Sequence, residues 1–190
     1  MEELKTMVEA LEEADIEQLI EDIPKVMEKV KSIGFVKVLE DEELKDFMEV
    51  MLDKMKTVDV EKLVPLANVI MPSFFEGMED LIENSEEAKE ELEDMEDMRL
   101  QISIPELDVY MFMIIEGGKI KAGSGKIDDP EATLSIDKKT FLELIKGSKD
   151  LMSGYMSGGM SYDGQLNKAL ALNTLFEIIT DEYELDLGFM

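Results

Sequence analysis

The stretch VYMFMIIEGGKIKAGSGK, residues 109–126, constrains the fold more than any other. Two glycines between apolar runs mark a two-residue hairpin loop, because both central turn positions need backbone angles that glycine adopts without steric cost. With Gly117 and Gly118 at the tip, the register follows. Ile115 faces Ile120 and Met113 faces Ala122, making one apolar face with Met111 and Val109. The other face pairs Glu116 with Lys119 and Ile114 with Lys121, alongside Phe112 and Tyr110. That second face is too apolar to stay bare, so the N-terminal helices or a second copy of the chain are expected to cover it.

The same period extends outward from the hairpin. RLQISI alternates Leu100, Ile102 and Ile104 against Gln101 and Ser103, a half-buried strand ending at Pro105. EATLSID places Ala132, Leu134 and Ile136 on one side of a further strand. Asp137 then caps a helix, KKTFLELIKG, that stops at Gly147, and a short helix is expected over 149–156. The segment GYMSGGMSYDGQL, 154–166, holds four glycines. Gly154 is expected to end the short helix, Gly158 and Gly159 to let a strand around Met160 approach closely, and Asp163-Gly164 to turn the chain into a last helix. That helix starts near Gln165 and aligns Ala169, Leu172, Leu175, Phe176 and Ile179.

Before residue 98 the period is helical. Leu4, Met7, Val8 and Leu11 share a helix face, Asp15 with Gln18 resembles a capping box, and Gly34 reads as a helix stop. Asp41 is expected to cap a helix carrying Leu44, Phe47, Met48, Met51, Leu52 and Met55, and further helices are expected near 60–70, 73–83 and 86–97. Pro24, Pro65 and Pro72 are each expected to break or restart a helix, since proline lacks the amide proton and clashes with the preceding turn. Charge divides the chain at the same place: 10 basic and 31 acidic residues in 1–98, against 9 and 15 in 99–190. Two parts follow, an acidic helical module at 1–95 and an α+β domain at 96–190.

Composition removes several functions. The net charge of −27 argues against nucleic acid, whose phosphates need a basic patch, and against rest on anionic lipid. With no Cys and no His there is no disulfide framework, thiolate nucleophile, Ser-His-Asp triad, or Cys- or His-ligated zinc or haem. GSGK at 123–126 would need Gly at Ile120 and Ser or Thr at Ile127 to be a phosphate loop, and GGKI fails in the same way at Met113 and Ile120. ELEDMEDM is a solvated helix face without the central Gly and closing Glu of a calcium loop. Asp163 reads as a turn residue, and no carboxylate, Lys, Ser or Tyr sits in a recognisable catalytic motif. No catalysis, metal or cofactor is expected. The longest apolar run, 109–115, is far short of a membrane span, and the acidic amphipathic N-terminus is unlike a signal peptide, so a cytoplasmic location is expected.

Sixteen methionines remain. Flexible, polarizable side chains fill irregular space and adapt to varied apolar partners. Met111, Met113, Met152, Met156 and Met160 fall on elements that converge on the sheet, where they either fill the core or line an apolar cavity.

The ordered segments ATLSID, KKTFLELIKG, SKDLMSGYMSGG and YDGQLNKALALNTLF, with the upstream hairpin, resemble the sterol carrier protein type 2 family over residues 97–183. The resemblance implies a mostly antiparallel five-stranded sheet covered by helices and enclosing an apolar cavity. It implies a domain that binds and carries fatty acid, acyl-coenzyme A, sterol or isoprenoid lipid rather than transforming it. The acidic N-terminal helices are no part of the family pattern, and the C-terminal LDLGFM is not a peroxisomal tripeptide. On this reading the ligand-lining residues are Met111, Met113, Leu134, Ile136, Phe141, Leu144, Met152, Tyr155, Met156, Met160, Leu172 and Phe176, with Tyr155 orienting a head group. Two rivals stay open: a protein-interaction module with a filled cavity, and a substrate-presenting subunit of a lipid-metabolising enzyme. A homodimer or protein partner would use the N-terminal helices or the face formed by Tyr110, Phe112 and Ile114.

Overall fold

Short polar side chains set where the helices begin. In the computed structural model, which describes residues 1–44 and 60–185, Asp15, Ser85, Asp137 and Asp150 each accept a backbone N–H three residues on. They open helices α2 (Ile16–Ile33), α5 (Glu86–Asp94), α6 (Lys138–Ile145) and α7 (Leu151–Met156). The Asp15 cap forms only half of the expected box, because the Gln18 amide donates forward to Asp22 instead of returning to residue 15. Gly34, at φ 100°, closes α2 as expected and leads into α3 (Phe35–Leu39). Asp41 accepts from the Glu43 amide, and Glu42 to Leu44 are helical; the rest of that expected helix, with Phe47, Met48, Met51, Leu52 and Met55, lies outside the described residues.

The prolines do not act as breaks. Pro24 lies inside α2, and Pro65 and Pro72 lie inside one helix, α4 (Val60–Asn84), where two had been expected. A proline in a helix interior forfeits one backbone hydrogen bond, an expense that tertiary packing overrides. Around Pro24 that packing comes from Ile23, Val26 and Val30, all buried with the face of α1 (Glu2–Glu13) that carries Leu4, Val8 and Leu11. The C-terminal half of α4 is held by Phe75, Met78, Leu81 and Ile82.

After α5 the chain enters β1 (Met98–Ile104), a 3₁₀ turn (Pro105–Leu107), β2 (Val109–Glu116) and β3 (Lys119–Ser124). The expected hairpin register holds pair by pair: Glu116 with Lys119, Ile115 with Ile120, Ile114 with Lys121 and Met113 with Ala122. β4 (Ala132–Ile136), α6, α7, β5 (Met160–Asp163) and α8 (Leu166–Glu182) complete the order. The strands lie in the sequence β3-β2-β1-β4-β5, with β1 and β4 parallel and every other pair antiparallel. The fold is α+β.

One face of the sheet meets the helices. Met98, Leu100, Ile102 and Ile104 of β1, with Val109, Met111, Met113 and Ile115 of β2, are buried in a single core with residues from α1, α2, α4, α5, α6 and α8. α4 also runs along β3, where the Glu79 carboxylate accepts the Ala122 N–H at 2.6 Å and blunts that sheet edge. The Ser85 hydroxyl donates to Glu182, joining the start of α5 to the end of α8.

The opposite face is covered differently from the expectation. Tyr110, Phe112 and Ile114 are half-exposed and stand outside the core, while Lys119 and Lys121 are exposed. The described helices pack on the Met111 face because that face is apolar from edge to edge, whereas this one also carries Arg99, Gln101, Ser103 and two lysines. Its partial cover is the β3–β4 crossover. Ile127 N–H donates to Gln101 Oε1, Gln101 Nε2 donates to the Met111 and Gly125 carbonyls, and Arg99 donates to the Asp128 carbonyl. Lys126 stacks 3.9 Å from the centre of the Tyr110 ring.

Candidate functional site: an apolar core open at one edge

The pleat decides which side chains reach the site. On β4 and β5 the helix-facing positions are Ala132, Leu134 and Ile136, opposed by Tyr162 and Met160 in register. Toward β1 and β2 the core is closed, but toward β5 it is not. Leu134 and Tyr162 face each other across the β4–β5 pair, and both are half-exposed while packed against the core. Leu151 of α7 and Phe176 of α8 share that state. Half-buried apolar groups thus recur on β4, α7, β5 and α8.

Glycine permits the close packing beneath this edge. A Cβ on Gly159 would lie 1.8 Å from Thr140 Oγ1 and 2.9 Å from Asp137 Oδ2, so only glycine lets β5 reach the start of α6. This is the close approach expected there. Gly154 corrects the reading of the same segment. It does not end α7 but sits buried inside it, where a Cβ would lie 2.7 Å from Met160 Sδ and 3.0 Å from Thr140 Cγ2. The helix ends two residues later, with Gly158 at φ 78°.

Of the twelve residues expected to line a cavity, Met111, Met113, Ile136, Phe141, Leu144, Met160 and Leu172 are buried in the core, and Leu134 and Phe176 pack against it half-exposed. Met152, Tyr155 and Met156 stand apart: their side chains project from α7 into solvent. Tyr155 is therefore not gathered with the other nine. Tyr162 was missed, although the alternation of Met160 and Tyr162 placed both on one face. Its hydroxyl donates to the Gln165 carbonyl at 3.1 Å, and burial raises its pKa.

The remaining polar groups near α6 and α7 are structural. Hydrogen bonding from Lys149 holds the Glu143 carboxyl below its ordinary pKa, and the Ser153 N–H does the same for Asp150 at its cap. A cleft of about 220 Å³ is lined by Pro105, Glu106, Ser135, Asp137, Gly158, Gly159 and Ser161 together with two of the expected ligand-lining residues, Ile136 and Met160. It is below the roughly 300–1,000 Å³ of sites that enclose drug-sized molecules. Among the described residues no cluster of carboxylates is spaced to hold a metal, and no helix is long and apolar enough to cross a membrane.

A five-stranded sheet with one helix-covered face and an apolar core between them defines a small α+β domain. The model of the SCP-2 sterol transfer family matches residues 76–177, more than half of the chain, and the chain belongs to that family. The family is one of lipid- and sterol-binding and transfer domains, generally not catalytic. Among solved structures, sterol carrier protein domain 2 of Helicoverpa armigera is 19% identical with a TM-score of 0.42, covering 57% of this chain and 86% of that one. Sterol carrier protein 2 from Yarrowia lipolytica, in its apo form, is 13% identical with a TM-score of 0.39, covering 57% and 91%. The sec-alkylsulfatase Pisa1 from Pseudomonas sp. is 17% identical with a TM-score of 0.42; the match spans 93% of this chain and 31% of that one. No curated protein matches the chain.

Proposed function

We propose that this protein binds and carries a single-chain or polycyclic hydrophobic ligand, such as a fatty acid, acyl-coenzyme A, sterol or isoprenoid lipid. The ligand enters at the β5 edge and lies between the sheet and helices α6 and α8. The supporting observation is that Leu134, Leu151, Tyr162 and Phe176, each half-exposed, pack against the buried apolar core that holds seven of the residues expected to line a cavity. Burial of apolar area drives binding at about 25 cal/mol per Å², less the cost of ordering. In this reading residues 1–95 are an acidic helical module whose last two helices roof the sheet, and 96–190 are the carrier domain. No catalytic step is assigned to it, and a cytoplasmic site of action remains part of the proposal.

Displacement of a fluorescent fatty acid tests the reading. Wild-type protein should bind it saturably, and Leu134→Lys, which places a charge at the opening without emptying the core, should weaken binding at least tenfold. A wild-type chain that binds neither the fluorescent fatty acid nor a fluorescent sterol would overturn it. A second contact is proposed on the Tyr110, Phe112 and Ile114 face, where a second copy of the chain supplies the cover that the described helices do not. Light scattering should then show a dimer that Phe112→Glu dissociates; a monomeric wild type would remove this part.

A further inference from the structure

Helix α7 carries its apolar residues outward, and the packing beneath it keeps them there. Met152, Tyr155 and Met156 are 68%, 55% and 80% exposed, and at spacing i, i+3, i+4 they share one helix face. The other side is fixed: Gly154 is pressed against Met160 and Thr140, and Leu151 packs on the core. Rolling the helix to bury the methionines would drive its backbone away from β5. Among the described residues six large apolar side chains are exposed, and five lie within residues 152–170, the other two being Leu166 at 70% and Leu170 at 60% at the start of α8.

Charge singles out the same region. A third of the chain is charged, yet residues 151–162 contain no charged side chain. Over 137–177 five lysines (Lys138, Lys139, Lys146, Lys149 and Lys168) offset five carboxylates (Asp137, Glu143, Asp150, Asp163 and Glu177), a local net of zero in a chain of −27. This stretch is therefore close to neutral, unlike the strongly acidic remainder of the chain.

We infer that α7 docks the protein on a neutral bilayer surface, inserting Met152, Tyr155 and Met156 among the head groups and upper acyl chains. The inference rests on the carrier reading, since a lipid carrier has to meet a bilayer to exchange its cargo. Three such side chains expose on the order of 400 Å², about half of the roughly 800 Å² per partner that a stable protein interface needs. A bilayer makes no such demand, because flexible methionines and an amphipathic tyrosine fit a fluid interface. The contact is apolar rather than electrostatic: Lys149 is already paired with Glu143 at 2.6 Å, and the acidic remainder of the chain disfavours an anionic surface.

Cosedimentation of the full chain with phosphatidylcholine vesicles tests this. Wild-type protein should pellet with the vesicles, insensitive to salt and less well when phosphatidylserine is added. Met152→Ser/Met156→Ser should lower partitioning at least tenfold, with its circular dichroism and its affinity for a fluorescent fatty acid in vesicle-free buffer unchanged. The inference is overturned if wild type stays in the supernatant, or if the double variant pellets equally. It is also overturned if the variant loses fatty-acid affinity but not vesicle binding, which would put the methionines in the cavity. A vesicle-free dimer that the variant dissociates would overturn it in favour of a protein contact. Wild type that pellets but binds no fatty acid would support docking while removing the carrier reading.

Discussion

Replacing one buried and one exposed methionine tests how the fold divides these residues. Met113 is 0% exposed, opposite Leu100 of β1 and Ala122 of β3 on the helix-facing side of the sheet. Met113→Ala removes three side-chain heavy atoms. At about 0.8 kcal/mol for each buried methylene-sized group, the transfer loss is ~2.4 kcal/mol. The cavity left in a closed sheet centre raises this to about 3–4 kcal/mol, within the 2–5 kcal/mol range of comparable truncations. In a chain of this length, each kcal/mol lowers Tm by about 2–4 °C, so Met113→Ala should melt roughly 10 °C below wild type. Met156 is 80% exposed, and Met156→Ala should change stability by less than about 0.5 kcal/mol. Urea unfolding with matched slopes gives both values. Equal costs for the two, or a loss above ~1.5 kcal/mol for Met156→Ala, would refute the placement of α7.

Gly159→Ala should cost about 2–3 kcal/mol, because its Cβ would meet Thr140 and disturb the Asp137 cap. Thr140→Ala in the same chain should recover part of that loss in a double-mutant cycle, and a neutral Gly159→Ala would refute the contact. Acid should weaken the fold below about pH 4. Hydrogen bonds from Lys5 to Asp41, Lys25 to Asp22, Lys149 to Glu143 and Ser153 to Asp150 hold those carboxyls below their ordinary pKa. A lowered carboxyl pKa adds stability that is complete above the unfolded value and lost as pH falls through the folded one. A Tm that climbs steadily down to pH 3 would show instead that relief of the −27 self-repulsion dominates.

The hairpin and most helix starts were legible because short-range chemistry determines them. Gly117-Gly118 fixed four cross-strand pairs, and Asp137 announced α6 through its own side chain. What misled was local chemistry that long-range packing overrules. Pro65 and Pro72 read as breaks, yet α4 continues because its apolar face lies on the sheet. Gly154 read as a helix stop, but a small residue was needed inside α7 for contact with Met160. The candidate site was legible strand by strand: alternation grouped Met111 with Met113 and Leu134 with Ile136, and the strand pairing puts both groups and Met160 on one face. It was not legible on α7, because a six-residue helix of Leu, Met, Tyr, Ser and Gly has no charged face to show which side turns outward. The parallel pairing of β1 with β4 and the crossover beneath it depend on contacts about 30 residues apart, which no local pattern encodes.

The central claim is that the core holds a lipid, and mass spectrometry of organic extracts from the purified full chain tests it most directly. A carrier should yield one apolar ligand per polypeptide, removable by competing fatty acid and absent from Leu134→Lys. Extracts that contain no lipid above background, from protein that also fails to take up added fatty acid or sterol, would contradict the claim.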